Sequence, residues 1–542
     1  MALTTGGQAV VQSLIREGVE VVFGLPGVQI MRIFDAFYDH PEIRLITVRH
    51  EQTTTYMAYG YARVKGKPGV ALVSPGPGVQ NASAGLGTAY AASTPVLLLA
   101  GQVESPMIGK DHGALHEVND QLELVRPITK WRQRVMRVQD IPEAIREAMR
   151  QMQTGRPRPT EVEIPPDVLS WSADVEFMPP ETSPPALPRR DDVRSAAELL
   201  MAAKKPLIFA GGGVQLSGAS TELVRLAESL GAPVATTHEG KGAIPEDHYL
   251  SLGTGYHGFG APSLAMPTAD VVLAVGTRFN PQILGATSSE ARWKLIQIDV
   301  DPTVIGKTYP VEIGIVADAK ATLQALVEEL ERTEYPRNKW PEPELDEIRK
   351  TLERQLEQHA PFQCAIISEI RKVLDDDAVI VSGITNVGYW SHLAYRVRRP
   401  NSYLTASYFA TLGYAFPTAL GAKVGAPERP VIAICGDGGF MYALPELATA
   451  VKYGINVIVL LFVDNAFGAS LNDQRSRFQS RVVGTELYNP SFVRVAEVFG
   501  AKGIKAEPEN IGKALEEALE IKRPTVIEVP MPTLPPPFQL RL

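Results

Sequence analysis

The sequence predicts an α/β protein built from three doubly wound parallel-sheet domains, and three observations predict it. Short apolar runs repeatedly end in glycine or proline and are followed by helical patterns. Two proline-rich stretches interrupt the series. The 542 residues are too many for one hydrophobic core. Strand, glycine corner, then helix, repeated, is the pattern of parallel sheets covered by helices. Ligands of such sheets sit beyond the carboxyl ends of the strands, where these corners lie.

The first domain, 1–175, carries the runs "GVEVVFGLPG" (18–27), "GVALVSPGPG" (69–78) and "TPVLLLAGQ" (94–102). The proline-rich "EFMPPETSPPALPRRDD" has neither helical nor strand period and marks a linker over 176–190. The second domain, 191–332, repeats the pattern with "KPLIFAGGG", "DVVLAVGTRF" and "KLIQIDVDP". Prolines and charges in "ERTEYPRNKWPEPELDE" place a second linker at 333–355. The third domain, 356–530, carries "DAVIVSG", "RPVIAICGDGG" and "INVIVLLFVDN", and leaves 531–542 as a tail.

Composition narrows the function. Apolar residues make up 45% and charged residues 21%, as in soluble globular proteins. A net charge of −8 supplies no basic field for nucleic acid or an anionic membrane, so neither is expected as a partner. Cys364 and Cys435 provide no disulfide framework and no CxxC pair. The first twenty residues lack a basic region followed by a long apolar one. No apolar stretch reaches the ~18–20 residues of a membrane helix. The expected location is cytoplasmic.

The chemistry concentrates at "VIAICGDGGF" (431–440), where a buried strand delivers Asp437 onto a glycine corner. Asp464 ends the next strand, "VIVLLFVDNAFG". Between them "FMYALPELATAVKYG" reads as a helix with Met441, Leu444, Leu447, Ala448 and Val451 on one apolar face. The two carboxylates, 27 residues apart, then lie at the same end of adjacent strands. Two hard oxygen ligands beside an amide-rich corner suit Mg²⁺ or Ca²⁺ holding a diphosphate. The helix after Gly438 adds backbone donors. Taken alone, Asp437 reads equally as a helix cap after a tight turn.

The stretch Gly436 to Gly468 resembles the diphosphate-binding signature of thiamine diphosphate enzymes, which opens with GDG and closes on NN or ND. "GVEVVFGLPG", "RHEQ", "AYGYAR", "GPGVQN", "GKGAIPEDH" and "ATLGYAFP" follow in that family's order over nearly the whole chain, closest to its acetolactate synthase-like branch. The resemblance implies thiamine diphosphate and Mg²⁺ as cofactors, with Asp437, Asp464 and the Ala466 backbone oxygen as metal ligands. Asp464 stands where asparagine is more usual. Gly436, Gly438, Gly439, Phe467 and Gly468 become cofactor contacts, joined by Val387 and Gly388 in "ITNVGYW" and by Pro26, Pro77 and Asn81 of the first domain. That domain would bind the aminopyrimidine and the last the diphosphate, with paired domains from different subunits. A homodimer or homotetramer with active sites at the subunit interface is the implied assembly.

By the same resemblance Glu51 is the catalytic acid. In an apolar pocket its pKa would rise, letting it share a proton with the aminopyrimidine ring. Read without the family, Glu51 is an exposed acid at a helix start, favoured by the helix dipole. Leu412 matches the bulky wedge that bends the cofactor, and Ala410 the backbone carbonyl that accepts from its amino group; both equally fit plain packing. The implied reaction is attack of the activated cofactor on a 2-oxo acid, loss of CO₂, then protonation or ligation to a second carbonyl.

Substrate-facing candidates are Val28, Gln29, Ser74 and the segment 109–121. His116, in Leu115-His116-Glu117, replaces the glutamine of the Phe-Gln-Glu usual in acetolactate synthases. It reads either as a proton relay or as an ordinary loop histidine. His112 fits the ordinary reading better. The tryptophan that acetolactate synthases present after the metal motif is missing from "GASLNDQRSRFQS" (468–480), and Tyr408 and Ala410 replace common glycines. In the central domain Leu216 breaks a GxGxxG pattern in "FAGGGVQLSG". "GYHGFG", "GTRFN" (with Asn280 for a common aspartate) and "IDVDPTVIGK" resemble flavin-cradling segments. Bound FAD and an empty, degenerate site both remain open.

The leading expectation is a carboligase or lyase for small 2-oxo acids such as pyruvate. A non-ligating decarboxylase for a bulky or aromatic substrate is the runner-up, followed by C–C hydrolysis or acyl-CoA lysis. Retention of Glu51, Asp437 and Asp464 argues against an inactive paralogue. Pro26 in "FGLPGVQ" removes an amide that a dehydrogenase phosphate loop would use.

Overall fold

A computed structural model describes residues 3–181, 183–280, 292–332 and 340–540. Three six-stranded sheets, parallel throughout, organise the chain. The first contains β1 (Val21–Gly24), β2 (Arg44–Thr47), β3 (Gly69–Val73), β4 (Val96–Gly101), β5 (Trp131–Arg134) and β6 (Thr160–Ile164). The second contains β7 (Pro206–Ala210), β8 (Val234–Thr236), β9 (Ser251–Thr254), β10 (Val271–Val275), β11 (Lys294–Asp299) and β12 (Ile313–Val316). The third contains β13 (Val379–Ser382), β14 (Tyr403–Leu404), β15 (Val431–Gly436), β16 (Ile458–Val463), β17 (Lys502–Lys505) and β18 (Thr525–Pro530). The interior strands are almost uniformly buried, because helices cover both faces and alternation with polar residues would have nothing to satisfy it.

The outer sheets share one wiring. Their orders, β2-β1-β3-β4-β6-β5 and β14-β13-β15-β16-β18-β17, follow the same scheme. The central sheet instead runs β9-β8-β7-β10-β11-β12, the dinucleotide-binding order 3-2-1-4-5-6. The outer domains also share a hydrophobic core, which joins Phe23, Tyr59 and Leu98 to Val431, Phe440 and Val459.

The helices that build this junction and the site are α1 (Glu51–Lys65), α2 (Pro77–Ala91), α3 (Gln121–Val125), α4 (Glu342–His359), α5 (Asn386–Ala394), α6 (Ala415–Gly425), α7 (Asp437–Phe440), α8 (Leu447–Tyr453) and α9 (Gly468–Arg477). At the centre α1 and α6 touch backbone to backbone in a reciprocal way. A Cβ on Gly60 would lie 2.1 Å from the Thr418 carbonyl oxygen, and one on Gly421 would lie 2.0 Å from that of Met57. Tyr59 donates to the Thr405 carbonyl at 2.9 Å, and Arg63 pairs with Glu239 of the central domain. All three domains therefore meet at the carboxyl half of α1.

Two expectations need correction. Residues 342–355 of the expected linker belong to the 18-residue α4, which runs on to His359 in the third domain, while 333–339 of that linker lie outside the described residues. Proline at the start and a charged outer face hid an apolar stripe. Leu345 and Ile348 are buried, and Leu352 and Leu356 pack against neighbouring cores. The single helix expected over 440–453 is broken into α7, a 3₁₀ turn at Leu444–Glu446 and α8, because Pro445 cannot continue an α-helix. Met441 and Val451 are consequently exposed rather than aligned on one buried face.

The stretch before Arg190 has no regular structure among its described residues. The tail folds back onto the third domain. The Leu534 carbonyl accepts from Asn386 Nδ2 at 2.7 Å and Asn472 Nδ2 at 2.8 Å, tying the start of α5 to the middle of α9. Among the described residues no helix is long and apolar enough to cross a membrane.

Candidate active site

Parallel pairing of Gly436 with Phe462 puts Asp437 and Asp464 just past the ends of adjacent strands β15 and β16. Asp437 is almost wholly buried. Its Oδ1 accepts from the Gly438 amide at 2.8 Å, and its Oδ2 from the Asn465 amide at 2.8 Å and Asn489 Nδ2 at 2.7 Å. Asp464 Oδ1 accepts from the Ala466 amide at 3.3 Å. Burial, then the neighbouring Asp437 charge, pushes the Asp464 carboxyl up to about 6. Asp437 is also raised by burial, against the amides that favour its charge. A buried acid that raises its half-buried neighbour is what a divalent cation relieves. Two carboxylates are too few for a protein-only cage and suit an ion that keeps water and phosphate oxygens.

The glycines around this corner are sterically required. A Cβ on Gly468 would fall 2.5 Å from Asp464 Oδ2, one on Gly438 2.8 Å from the Phe467 ring, and one on Gly436 2.8 Å from Thr385 Oγ1. Ala466 is buried and bridges to Glu486, which brings the 485–489 segment back over the corner. Val387 has its side chain in the domain core, so what it offers a ligand is the amide in the first turn of α5; Gly388 packs against the Gly383 carbonyl. Leu412 lies over Gly439 at ordinary contact distance.

On the first domain, His50 caps α1, its Nδ1 accepting from the Gln52 amide at 3.2 Å. Asn81 on α2 donates to Glu51 Oε2 at 3.0 Å. Pro77 opens α2 directly after Gly76, whose φ is +58°; Pro26 is exposed on the β1 corner. Glu51 is only half-buried, so its own chain does not supply the apolar enclosure expected around it. A residue of the third domain fixes its approach. Glu446 Oε1 accepts from the Arg49 amide at 3.0 Å and the His50 amide at 3.1 Å, while Thr449 donates to its Oε2 at 2.5 Å. Gln52 Nε2 adds a bond of 2.9 Å to the Tyr442 carbonyl.

Gln29 and His116 meet. Gln29 Nε2 donates to the Leu115 carbonyl at 3.1 Å, and its Oε1 lies 3.2 Å from His116 Nδ1. His116 sits in the left-handed region at φ +69°, with its carbonyl against Gly76. Ser74 is buried beside Gly27, whereas Val28 and His112 are exposed. Glu117 organises the arch instead of facing a substrate, accepting from the Ala114 amide at 2.9 Å. Asn489 and Glu446 escaped sequence reasoning because their partners lie 52 and roughly 400 positions away, and no local pattern marks them.

A cavity of about 460 Å³ opens at the switch point of the central sheet, between the glycine corner 211–213 and the segment 276–280. Tyr256, Arg278, Asn280 and Asp299, from the three flavin-like segments, all line it. Arg156 of the first domain holds Asp299 at 2.7 Å and Asp301 at 3.1 Å. Tyr408 and Ala410 face this cavity, with the Arg278 guanidinium 4.6 Å above the Tyr408 ring. Ala410 adopts φ +50°. The two departures from glycine therefore narrow the central cavity.

Family models for thiamine pyrophosphate enzymes match in three pieces. The N-terminal TPP binding domain matches residues 4–124, the central domain 193–326, and the C-terminal TPP binding domain 383–529. A probable acetolactate synthase large subunit of Methanocaldococcus jannaschii is 35% identical over 98% of this chain and 93% of its own. The acetolactate synthase isozyme 3 large subunit of Escherichia coli is 34% identical, covering 96% and 93%. A probable 2-ketoarginine decarboxylase of Pseudomonas aeruginosa is 36% identical, covering 92% and 88%.

Proposed function

The chain belongs to the thiamine pyrophosphate enzymes, in their acetolactate synthase-like branch, and from that premise we propose that it decarboxylates a small 2-oxo acid such as pyruvate and ligates the remainder to a second carbonyl. The observation that carries this reading is the Asp437–Asp464 pair, one buried and one half-buried acid at adjacent strand ends, with a glycine at 468 whose Cβ would fall 2.5 Å from Asp464 Oδ2. Thiamine diphosphate, when bound, supplies the nucleophilic carbon and the electron sink for C–C cleavage. Asp437, Asp464 and the Ala466 carbonyl would hold Mg²⁺ on its diphosphate, with amides of α7 and α5 beside them. Leu412 would bend the bound cofactor, and Ala410 would accept from its amino group.

Glu51 would hold the proton exchanged with the aminopyrimidine, oriented by Asn81. Its open position supports a homodimer or homotetramer in which a second copy encloses it, as do exposed Met441 and Tyr442, which follow directly after α7. Gln29 and His116 would face the substrate, held to one another by their 3.2 Å side-chain contact. The central strand order and glycine corners support a nucleotide such as FAD in the 460 Å³ cavity, positioned beside the reaction without taking part in it.

A second reading, simple decarboxylation of a bulkier 2-oxo acid, is favoured by the 36% identity to a probable 2-ketoarginine decarboxylase and by the missing tryptophan in 468–480. The test is a panel of 2-oxo acids offered to protein dialysed free of cofactor and resupplied with thiamine diphosphate and Mg²⁺, with products identified by mass spectrometry. Acetolactate from pyruvate supports ligation, and aldehyde alone from a larger acid supports the second reading. No cofactor uptake and no turnover would overturn both.

A further inference from the structure

Behind the Glu51–Asn81 and Gln29–His116 pairs lies a buried polar strut centred on Gln121. Gln121, wholly buried at the start of α3, uses its entire amide. Nε2 donates to the Gly101 carbonyl at 2.9 Å and to Glu163 Oε2 at 2.7 Å, and Oε1 accepts from the Gly76 amide at 2.8 Å. The three partners stand at the carboxyl ends of β3, β4 and β6, which are successive neighbours in the sheet. Glu163 is fixed in turn by Arg134 and, at 3.2 Å, by Gln102, so the strut has a rigid base.

Each end of the strut bears on a functional pair. Gly76 holds φ +58° and immediately precedes Pro77, which starts the helix that carries Asn81 to Glu51. Its α-carbon is pressed so closely to His116 that a Cβ would meet the His116 carbonyl at 2.3 Å. Gly101 packs against Pro75 and Gln29, where a Cβ would come within 2.9 Å and 3.3 Å. One side chain thus determines where the backbone beneath both pairs can rest.

We propose that Gln121 is a positioning residue for the proton-transfer and substrate-facing groups, acting through Gly76 and Gly101. The inference rests on the roles given above to Glu51 and His116. It differs from simple core satisfaction in its kinetic signature, because misplacing reacting groups by about 1 Å lowers turnover roughly 100-fold without weakening a cofactor anchored elsewhere.

The test compares Gln121→Met, which removes all three bonds at similar length, with Gln121→Glu, which keeps the acceptor for Gly76. Amide hydrogen exchange of residues 75–82 is measured on protein free of cofactor, thiamine diphosphate and Mg²⁺ affinity by calorimetry, and kcat and KM with pyruvate. Expected for Gln121→Met are faster exchange at Gly76, cofactor affinity within about twofold, and kcat lowered roughly 10- to 100-fold. Gln121→Glu should retain Gly76 protection and fall between the two; it also serves alone if the Met variant does not fold. Faster exchange with kcat within twofold of the parent, or unchanged exchange, overturns the proposal. A parent protein that binds no thiamine diphosphate overturns the functional reading beneath it, and is recognised without any variant.

Discussion

Glu446→Ala should release the turn that presents Glu51. Glu446 is almost wholly buried, and one of its oxygens receives the Arg49 and His50 amides at 3.0 and 3.1 Å. Removing the side chain strands two donors, at roughly 1–3 kcal/mol each, so the local tether is worth about 2–6 kcal/mol. At about 1.4 kcal/mol per factor of ten, amides 49–52 should exchange at least roughly 30-fold faster. Local exchange is the proper assay, since a three-domain chain has no single unfolding free energy. Turnover should fall in parallel while cofactor affinity holds, because the metal corner is untouched. Glu446→Gln is the control. It keeps an oxygen for both amides and removes a carboxyl whose pKa burial pushes up, so it should lie within about 1 kcal/mol of the parent. Exchange accelerated less than about fivefold in Glu446→Ala, or a glutamine variant as damaged as the alanine one, would refute the reasoning.

Glu51→Gln should lower turnover by two or more orders of magnitude, with thiamine diphosphate affinity by calorimetry nearly unchanged. Gly468→Ala should weaken Mg²⁺-dependent cofactor binding at least tenfold, as its methyl would strike Asp464 Oδ2 at 2.5 Å; titration of the folded variant reads this directly. Acid should loosen the junction of the central and third domains, where His238 stacks on His392 at 4.5 Å. Burial lowers His238 to about 4, below its ordinary 6.5, so its contribution is complete above pH 6.5 and is lost as pH falls toward 4. His238→Phe should move the acid midpoint of that junction, followed by tyrosine fluorescence, to lower pH.

The fold and the pairing of Asp437 with Asp464 were legible because each is written locally. An apolar run, a glycine corner and an acid announce a strand end within ten residues, and two such announcements placed Asp437 beside Asp464. What stayed hidden depends on distance or on a mixed signal. Asn489, Glu446 and Gln121 are single polar residues whose meaning comes from backbone groups contributed by other segments. The α4 helix was masked by its prolines and charged outer face, and the 440–453 break was masked because the apolar period ran on through Pro445. Strand order, which separates the central sheet from the outer two, leaves no trace in any one run.

Where α1 and α6 cross, bare backbone meets bare backbone from both sides, Gly60 on Thr418 and Gly421 on Met57. At these two points no side chain stands between the helices to give way, so the contact cannot slide gradually; it is either seated or parted. The carboxylate at the head of one helix and the Asp437–Asp464 corner beyond the other are therefore carried as if on a single casting. A methyl group added at either glycine would disturb both ends of the chemistry at once.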